Sequence, residues 1–103
     1  LSEVWEVRDG SVKHWKLDPA ELGVKPGPLE DLRGASPEEN AMLIRGVVEG
    51  RDRSLRREAV VLNAAGALVV AGKAPSWAEG LQAAAAAIDD GAAARVLRRL
   101  VAA

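Results

Sequence analysis

The stretch 36-SPEENAMLIRGVVEGRDRSLRREAVVLNAAGALVVAGK-73 reads as two helices joined by a short charged connection. Ser36 is an N-cap, Pro37 takes the first helical position and Glu39 completes a capping box, so the start signals agree. Ala41, Leu43, Ile44, Val47 and Val48 form the apolar stripe of the first helix, and Gly50 ends it. Ser54 caps a second helix over about residues 55–72, closed by Gly72. Between Ala59 and Ala71 that helix is apolar on nearly every side, Asn63 excepted. A helix that is hydrophobic all round needs neighbours all round. The other segments are therefore expected to be its covering.

Working outward, residues 3–17 read as a β-hairpin around Asp9-Gly10, a pair that tolerates the positive φ of a type I′ turn. The register Arg8–Ser11, Val7–Val12, Glu6–Lys13, Trp5–His14, Val4–Trp15 and Glu3–Lys16 places opposite charges across the strands twice. One face carries Trp5, Val7, Val12 and His14 and is the better candidate for the core; the other carries Val4 and Trp15 among charges. A lone hairpin is marginal in water, so this one is expected to extend a larger sheet.

Residues 18–35 form the connection. Asp18-Pro19 starts a short helical turn that Gly23 closes, and VKPGPLEDLRGA then reads as extended chain pinned by Leu29 and Leu32. Beyond residue 73, Ser76 and Glu79 make a second capping box for a helix reaching about Asp90, with Leu81, Ala84, Ala85 and Ile88 inward. Gly91 breaks it, and a last helix from Ala92 to Val101 carries Val96, Leu97, Leu100 and Val101. The fold class is thus α+β: an N-terminal hairpin, then about four packed helices over residues 36–103.

Composition sets limits on function. The chain has 103 residues and a net charge of −1, so no global field favours nucleic acid or an anionic membrane. It contains no cysteine, which removes disulfides, thiolate metal sites and thiol catalysis and fits a cytoplasmic protein. No apolar run reaches the ~18–20 residues of a membrane span. Opening at Leu1 almost directly into a strand, the chain is expected to be a segment of something longer.

No residue set assembles chemistry. His14 is the single histidine and lacks converging ligands, so it reads as an ordinary sheet residue. Arg51, Arg53, Arg56 and Arg57 have forks that match phosphate, but Glu49, Asp52 and Glu58 are interleaved and a solvated loop is the simpler reading. Arg95, Arg98 and Arg99 complement the dipole of the last helix. Glu38 and Glu39 suit a helix N-terminus. The Asp89-Asp90 pair is adjacent in sequence, so its members do not face each other, and it caps the turn at Gly91. Asn63 is expected to tie its helix to neighbouring backbone near the hairpin. Asn63→Leu is then expected to destabilise this region without changing substrate affinity.

The order of segments resembles the C-terminal region of the anthranilate phosphoribosyltransferase family. The resemblance rests on LEDLRG with SPEENA (29–41) and LNAAGALVVAGKA with EGL (62–81), and extends through AIDDGAA. It implies a parent α/β domain beside a small helical domain, usually in a homodimer. It also implies transfer of the phosphoribosyl group of phosphoribosyl pyrophosphate to anthranilate, with magnesium, in tryptophan biosynthesis. The family's Gly-Thr-Gly-Gly-Asp loop, Lys-His-Gly-Asn-Arg segment and acidic magnesium pair are absent from these residues. No catalytic, substrate-binding or metal residue is therefore assigned, magnesium has no ligands in this chain, and the chain alone is expected to be inactive. Its expected partner is the remainder of the enzyme: the N-terminal helical domain and the first part of the α/β domain. Two alternatives remain. One is a non-enzymatic scaffold relative that binds nucleic acid through residues 51–57 or a protein partner. The other is an interaction module that dimerises through its hairpin edge or helix faces.

Overall fold

The computed structural model describes all of residues 1–103. The hairpin β1 (Ser2–Arg8) and β2 (Ser11–Leu17) is followed by two 3₁₀ turns, Pro19–Leu22 and Leu29–Leu32. Four helices come next: α1 (Pro37–Val48), α2 (Leu55–Val70), α3 (Trp77–Asp89) and α4 (Ala92–Ala102). The strands pair antiparallel in the expected register, from Ser2↔Leu17 to Arg8↔Ser11. Asp9 and Gly10 have φ of 51° and 78°, as a type I′ turn requires. Each helix start follows its cap: the hydroxyls of Ser36, Ser54 and Ser76 accept from the backbone N–H of Glu39, Arg56 and Glu79. Leu29–Leu32 winds into a 3₁₀ turn where extended chain was expected, because Pro28 fixes an extended approach and the next residues are unconstrained.

The core is small and sits where α1, α2 and α3 meet. Val47, Val61, Ala84 and Ile88 are buried, with Leu68, Leu81 and Ala93 packed against them. The α2–α3 contact is close because Gly80 lies against α2: a Cβ there would stand 3.0 Å from the Ala65 carbonyl oxygen and 3.1 Å from its Cα. Gly66 opens a similar space for Trp77, whose ring a Cβ would meet at 2.9 Å. Trp15 then meets Trp77 edge-on with centroids 6.1 Å apart. The hairpin thus rests on the helices through its Val4–Trp15–Leu17 face. The face expected to meet the core, Trp5, Val7, Val12 and His14, points to solvent: Trp5 is 60% exposed and stacks on His14 at 4.5 Å. Apolar count misjudged that face. The face that docks holds Trp15, which meets the Trp77 ring lying over Gly66.

Other inward assignments shift for the same reason. In α1 only Val47 is buried, while Ala41 is exposed and Ile44 more than half exposed. In α4 Ala94 is buried and Leu97 half-buried, whereas Val96, Leu100 and Val101 are exposed. Small alanines lie where the helices approach closely, and the larger residues are left outside. Most of all, α2 is covered on one side only. Arg57, Val61 and Ala65 are buried, yet Val70 is 90% exposed. The radius of gyration, 14.9 Å, exceeds the ~13 Å of a self-contained domain of this length.

Candidate functional site: the α2–α3 ion-pair network

The most ordered polar feature lies between the N-terminal end of α2 and the C-terminal end of α3. Arg57 donates from both terminal nitrogens to Asp89, at 3.1 Å to Oδ1 and 3.2 Å to Oδ2. Arg53 adds a third bond to Asp89 Oδ1 at 3.2 Å. Arg57 is only 8% exposed, so its fork-on-carboxylate geometry replaces the water it has lost. The hydrogen bond from Arg57 is the main reason the Asp89 carboxyl is held below its ordinary range; desolvation opposes the shift, and the charges of Arg57 and Arg53 reinforce it. At the same end of α2, Asp52 accepts from the Ser54 N–H at 2.8 Å. Its carboxyl is also held low, by hydrogen bonds from the Ser54 side chain and backbone first; desolvation opposes them, and the Arg56 charge adds the smallest lowering.

These contacts settle the arginine cluster. Arg53 and Arg57 hold Asp89, Arg51 bonds Glu49, and Arg56 lies 3.9 Å from Asp52. The connection is solvated at Arg51 and Arg53 as expected, with its arginines paired to acids, whereas Arg57 is buried on α2. The signal was present in the sequence: Arg57, Val61 and Ala65 recur every four residues, so the arginine shares a helical face with the buried stripe. Asp89 and Asp90 act separately. Asp89 binds the arginines, while Asp90 Oδ1 accepts from the Ala92 N–H at 2.9 Å in the turn that leads into α4.

The remaining candidates stay apart. His14 stacks on Trp5 and stands 3.5 Å from Glu3. Glu39 takes part in the α1 capping box with Ser36. Asn63 is exposed and donates to the Ala59 carbonyl one turn back at 2.8 Å. It does not reach the hairpin backbone as expected, because it lies on the uncovered side of α2. No group of three His, Asp or Glu side chains converges. With Asp89 and Asp52 already engaged, the residues present do not fit a divalent cation. Two of the surface grooves are lined mainly by hydrophobic side chains. One, of about 560 Å³, runs between Leu32, α1 and α2; the other, of about 290 Å³, lies between β1 and the end of α2. No helix is long and apolar enough to cross a membrane.

A hairpin leads into four helices, and the arginines at the start of α2 are paired with Glu49, Asp52 and Asp89. Residues 1–94 match the glycosyl transferase family, a/b domain, and the chain belongs to that family. Within it, anthranilate phosphoribosyltransferase of Methylobacterium nodulans is 50% identical over 96 residues, which are 93% of this chain and 28% of that protein. Anthranilate phosphoribosyltransferase of Pelotomaculum thermopropionicum gives the same identity and coverage. The crystal structure of anthranilate phosphoribosyltransferase from Thermus thermophilus superposes with a TM-score of 0.82 at 40% identity, covering 86% of this chain and 27% of that one. The resemblance carried by residues 29–41 and 62–81 is thus shown. The chain spans little more than a quarter of the length of the curated relatives it matches.

Proposed function

We propose that this chain is the C-terminal, structural segment of the α/β domain of an enzyme that transfers the phosphoribosyl group of phosphoribosyl pyrophosphate to anthranilate. The observation that carries the reading is 50% identity sustained over 93% of the chain to anthranilate phosphoribosyltransferases. In this role the segment extends the sheet with β1 and β2 and backs it with α1–α4. The N-terminal helical domain and the first part of the α/β domain supply the substrate contacts and magnesium ligands, in a cytoplasmic homodimer acting in tryptophan biosynthesis. Rate enhancement in such a transfer comes chiefly from positioning and electrostatic stabilisation. A rigid backing serves both.

The nucleic-acid alternative has less support. Its arginines are occupied by Glu49, Asp52 and Asp89, and the net charge is −1. The test is an assay of phosphoribosyl transfer with the chain alone, and with the chain co-expressed with the complementary part of the Methylobacterium nodulans relative. No product is expected from the first and product from the second. Turnover by the chain alone would overturn the structural role.

A further inference from the structure

The groove between Leu32, α1 and α2 has walls that are fixed before anything enters it. Asn40 accepts from the Ala35 N–H through Oδ1 at 2.8 Å and donates through Nδ2 to the Ala35 carbonyl at 3.4 Å. Gly34 makes that clamp possible, since a Cβ there would stand 2.8 Å from Asn40 Oδ1. The capping box of Ser36 and Glu39 holds the same corner, and the Leu29–Leu32 turn rests on α2. The volume, about 560 Å³, lies within the ~300–1,000 Å³ of small-molecule pockets. Leu43, Ile44, Val48 and Val60 supply apolar wall, and Arg33 and Arg56 are the charged residues that line it. Arg33 forms no ion pair. Arg56 stands 3.9 Å from Asp52, too far for a hydrogen bond, and Asp52 is already engaged by the Ser54 N–H. A chain of net charge −1 thus has a hollow with two cations and no acid. The groove beside β1 differs, because its Arg8 is paired with Glu6 at 3.2 Å.

We propose that this groove binds a small organic carboxylate, with an apolar body against Ile44, Leu43 and Val60 and its two oxygens on the guanidinium forks of Arg33 and Arg56. The segment then carries a ligand site of its own besides its structural role, and the proposal stands on the groove rather than on the parentage. Three observations select this occupant. The planar fork of arginine matches the two oxygens of a carboxylate. The apolar walls favour a ligand with a hydrocarbon body over a bare inorganic anion, which gains nothing from them. Covering the groove with apolar protein would leave Arg33 and Arg56 buried without partners, which is costly; a carboxylate ligand brings the missing charge with it. Because Asn40 and Gly34 fix the wall that bears Arg33, little ordering opposes binding.

The test is a titration of the isotope-labelled chain with naphthoate, one carboxylate on an apolar ring system, followed by amide NMR shifts. Saturating shifts are expected at Arg33, Ile44 and Val60, with a dissociation constant on the order of 1 mM or below. Arg33→Gln is expected to weaken naphthoate roughly threefold to tenfold and to leave the neutral naphthamide within about twofold. Ile44→Glu puts a charge on the apolar wall and is expected to weaken naphthoate more than about tenfold. Val96→Glu on α4, exposed as Ile44 is, is expected to change it less than about twofold. Circular-dichroism melts are expected to coincide for the chain and the three variants; should Ile44→Glu melt early, Arg33→Gln decides. Absence of saturable shifts in the wild-type chain overturns the site. Naphthamide bound as tightly as naphthoate overturns the carboxylate, and displacement of naphthoate by inorganic phosphate overturns it in favour of a phosphate ligand. Equal loss for Val96→Glu overturns the location. The shifts are expected to persist when the labelled chain is paired with the complementary part of the Methylobacterium nodulans relative. Their loss in a formed pair overturns the site, whereas failure of the pair to form overturns the parentage and leaves the site to the titrations of the chain alone.

Discussion

The two sides of α2 are made of nearly the same residues and meet opposite fates. On one side Val61 and Ala65 are buried, Leu68 is packed against the core and Arg57 is fully engaged by Asp89. On the other, Val60, Asn63, Ala67 and Val70 face solvent. The apolar side is thus closed by a charged residue, while apolar residues lie open. Local composition does not decide which side of an all-apolar helix is inside. The neighbour does, and here the neighbour is α3, brought close by Gly80.

The covered side should be the easier to break. Ile88→Ala removes a side chain buried against Val61 and is expected to cost about 2–5 kcal/mol in denaturant unfolding of the chain. A loss like that of an exposed site would mean that α2 and α3 do not form the core. Gly80→Val adds atoms where a first carbon already stands 3.0 Å from the Ala65 carbonyl oxygen, with an expected cost of about 1–3 kcal/mol. An unchanged midpoint would show that the helices separate freely.

The ion pair sharpens the comparison through pH. The Asp89 carboxyl is held low in the folded chain, chiefly by the Arg57 hydrogen bond. Its contribution to stability is therefore full above the unfolded carboxylate pKa of ~3.9 and is lost as pH falls through the lower folded value. Asp89→Asn is expected to be less stable than wild type at pH 7 and to show a flatter decline below about pH 4. Parallel acid profiles for the two proteins would remove the pair from the α2–α3 lock. Arg53→Ala, which loses only an exposed contact, should shift the neutral-pH stability less than Arg57→Ala does.

The smallest effect belongs to the open side. Asn63→Leu is expected to stay within about 0.5 kcal/mol of wild type in the chain alone, because the side chain is exposed and bonds only its own helix. This reverses the destabilisation that a buried asparagine implies. A large loss in thermal unfolding would show that this side is covered after all.

Much of this was legible before any coordinates. Asp9-Gly10 and the cross-strand charges define the hairpin and its register. Ser36, Ser54 and Ser76 mark three helix starts to the residue. Such signals are local: a cap or a turn is satisfied by atoms a few residues away. The Arg57–Asp89 pair was only half legible, since the periodicity of residues 57, 61 and 65 marks the face but not the acid 32 residues away. The docking face of the hairpin was not legible, because Trp15 docks on Trp77, a residue 62 positions away whose ring lies over Gly66.

By itself the sequence determined the hairpin, the four helices with their boundaries to within a residue or two, and the family, since caps, turns and short motifs are written in neighbouring residues; the 3₁₀ turn at Leu29–Leu32 was not among them. Only the tertiary structure decided which side of each element is inside. That choice depends on shape at the contact: glycine and alanine let α2 and α3 approach within reach of each other's backbone. It left the larger aliphatics of α2 and α4 exposed.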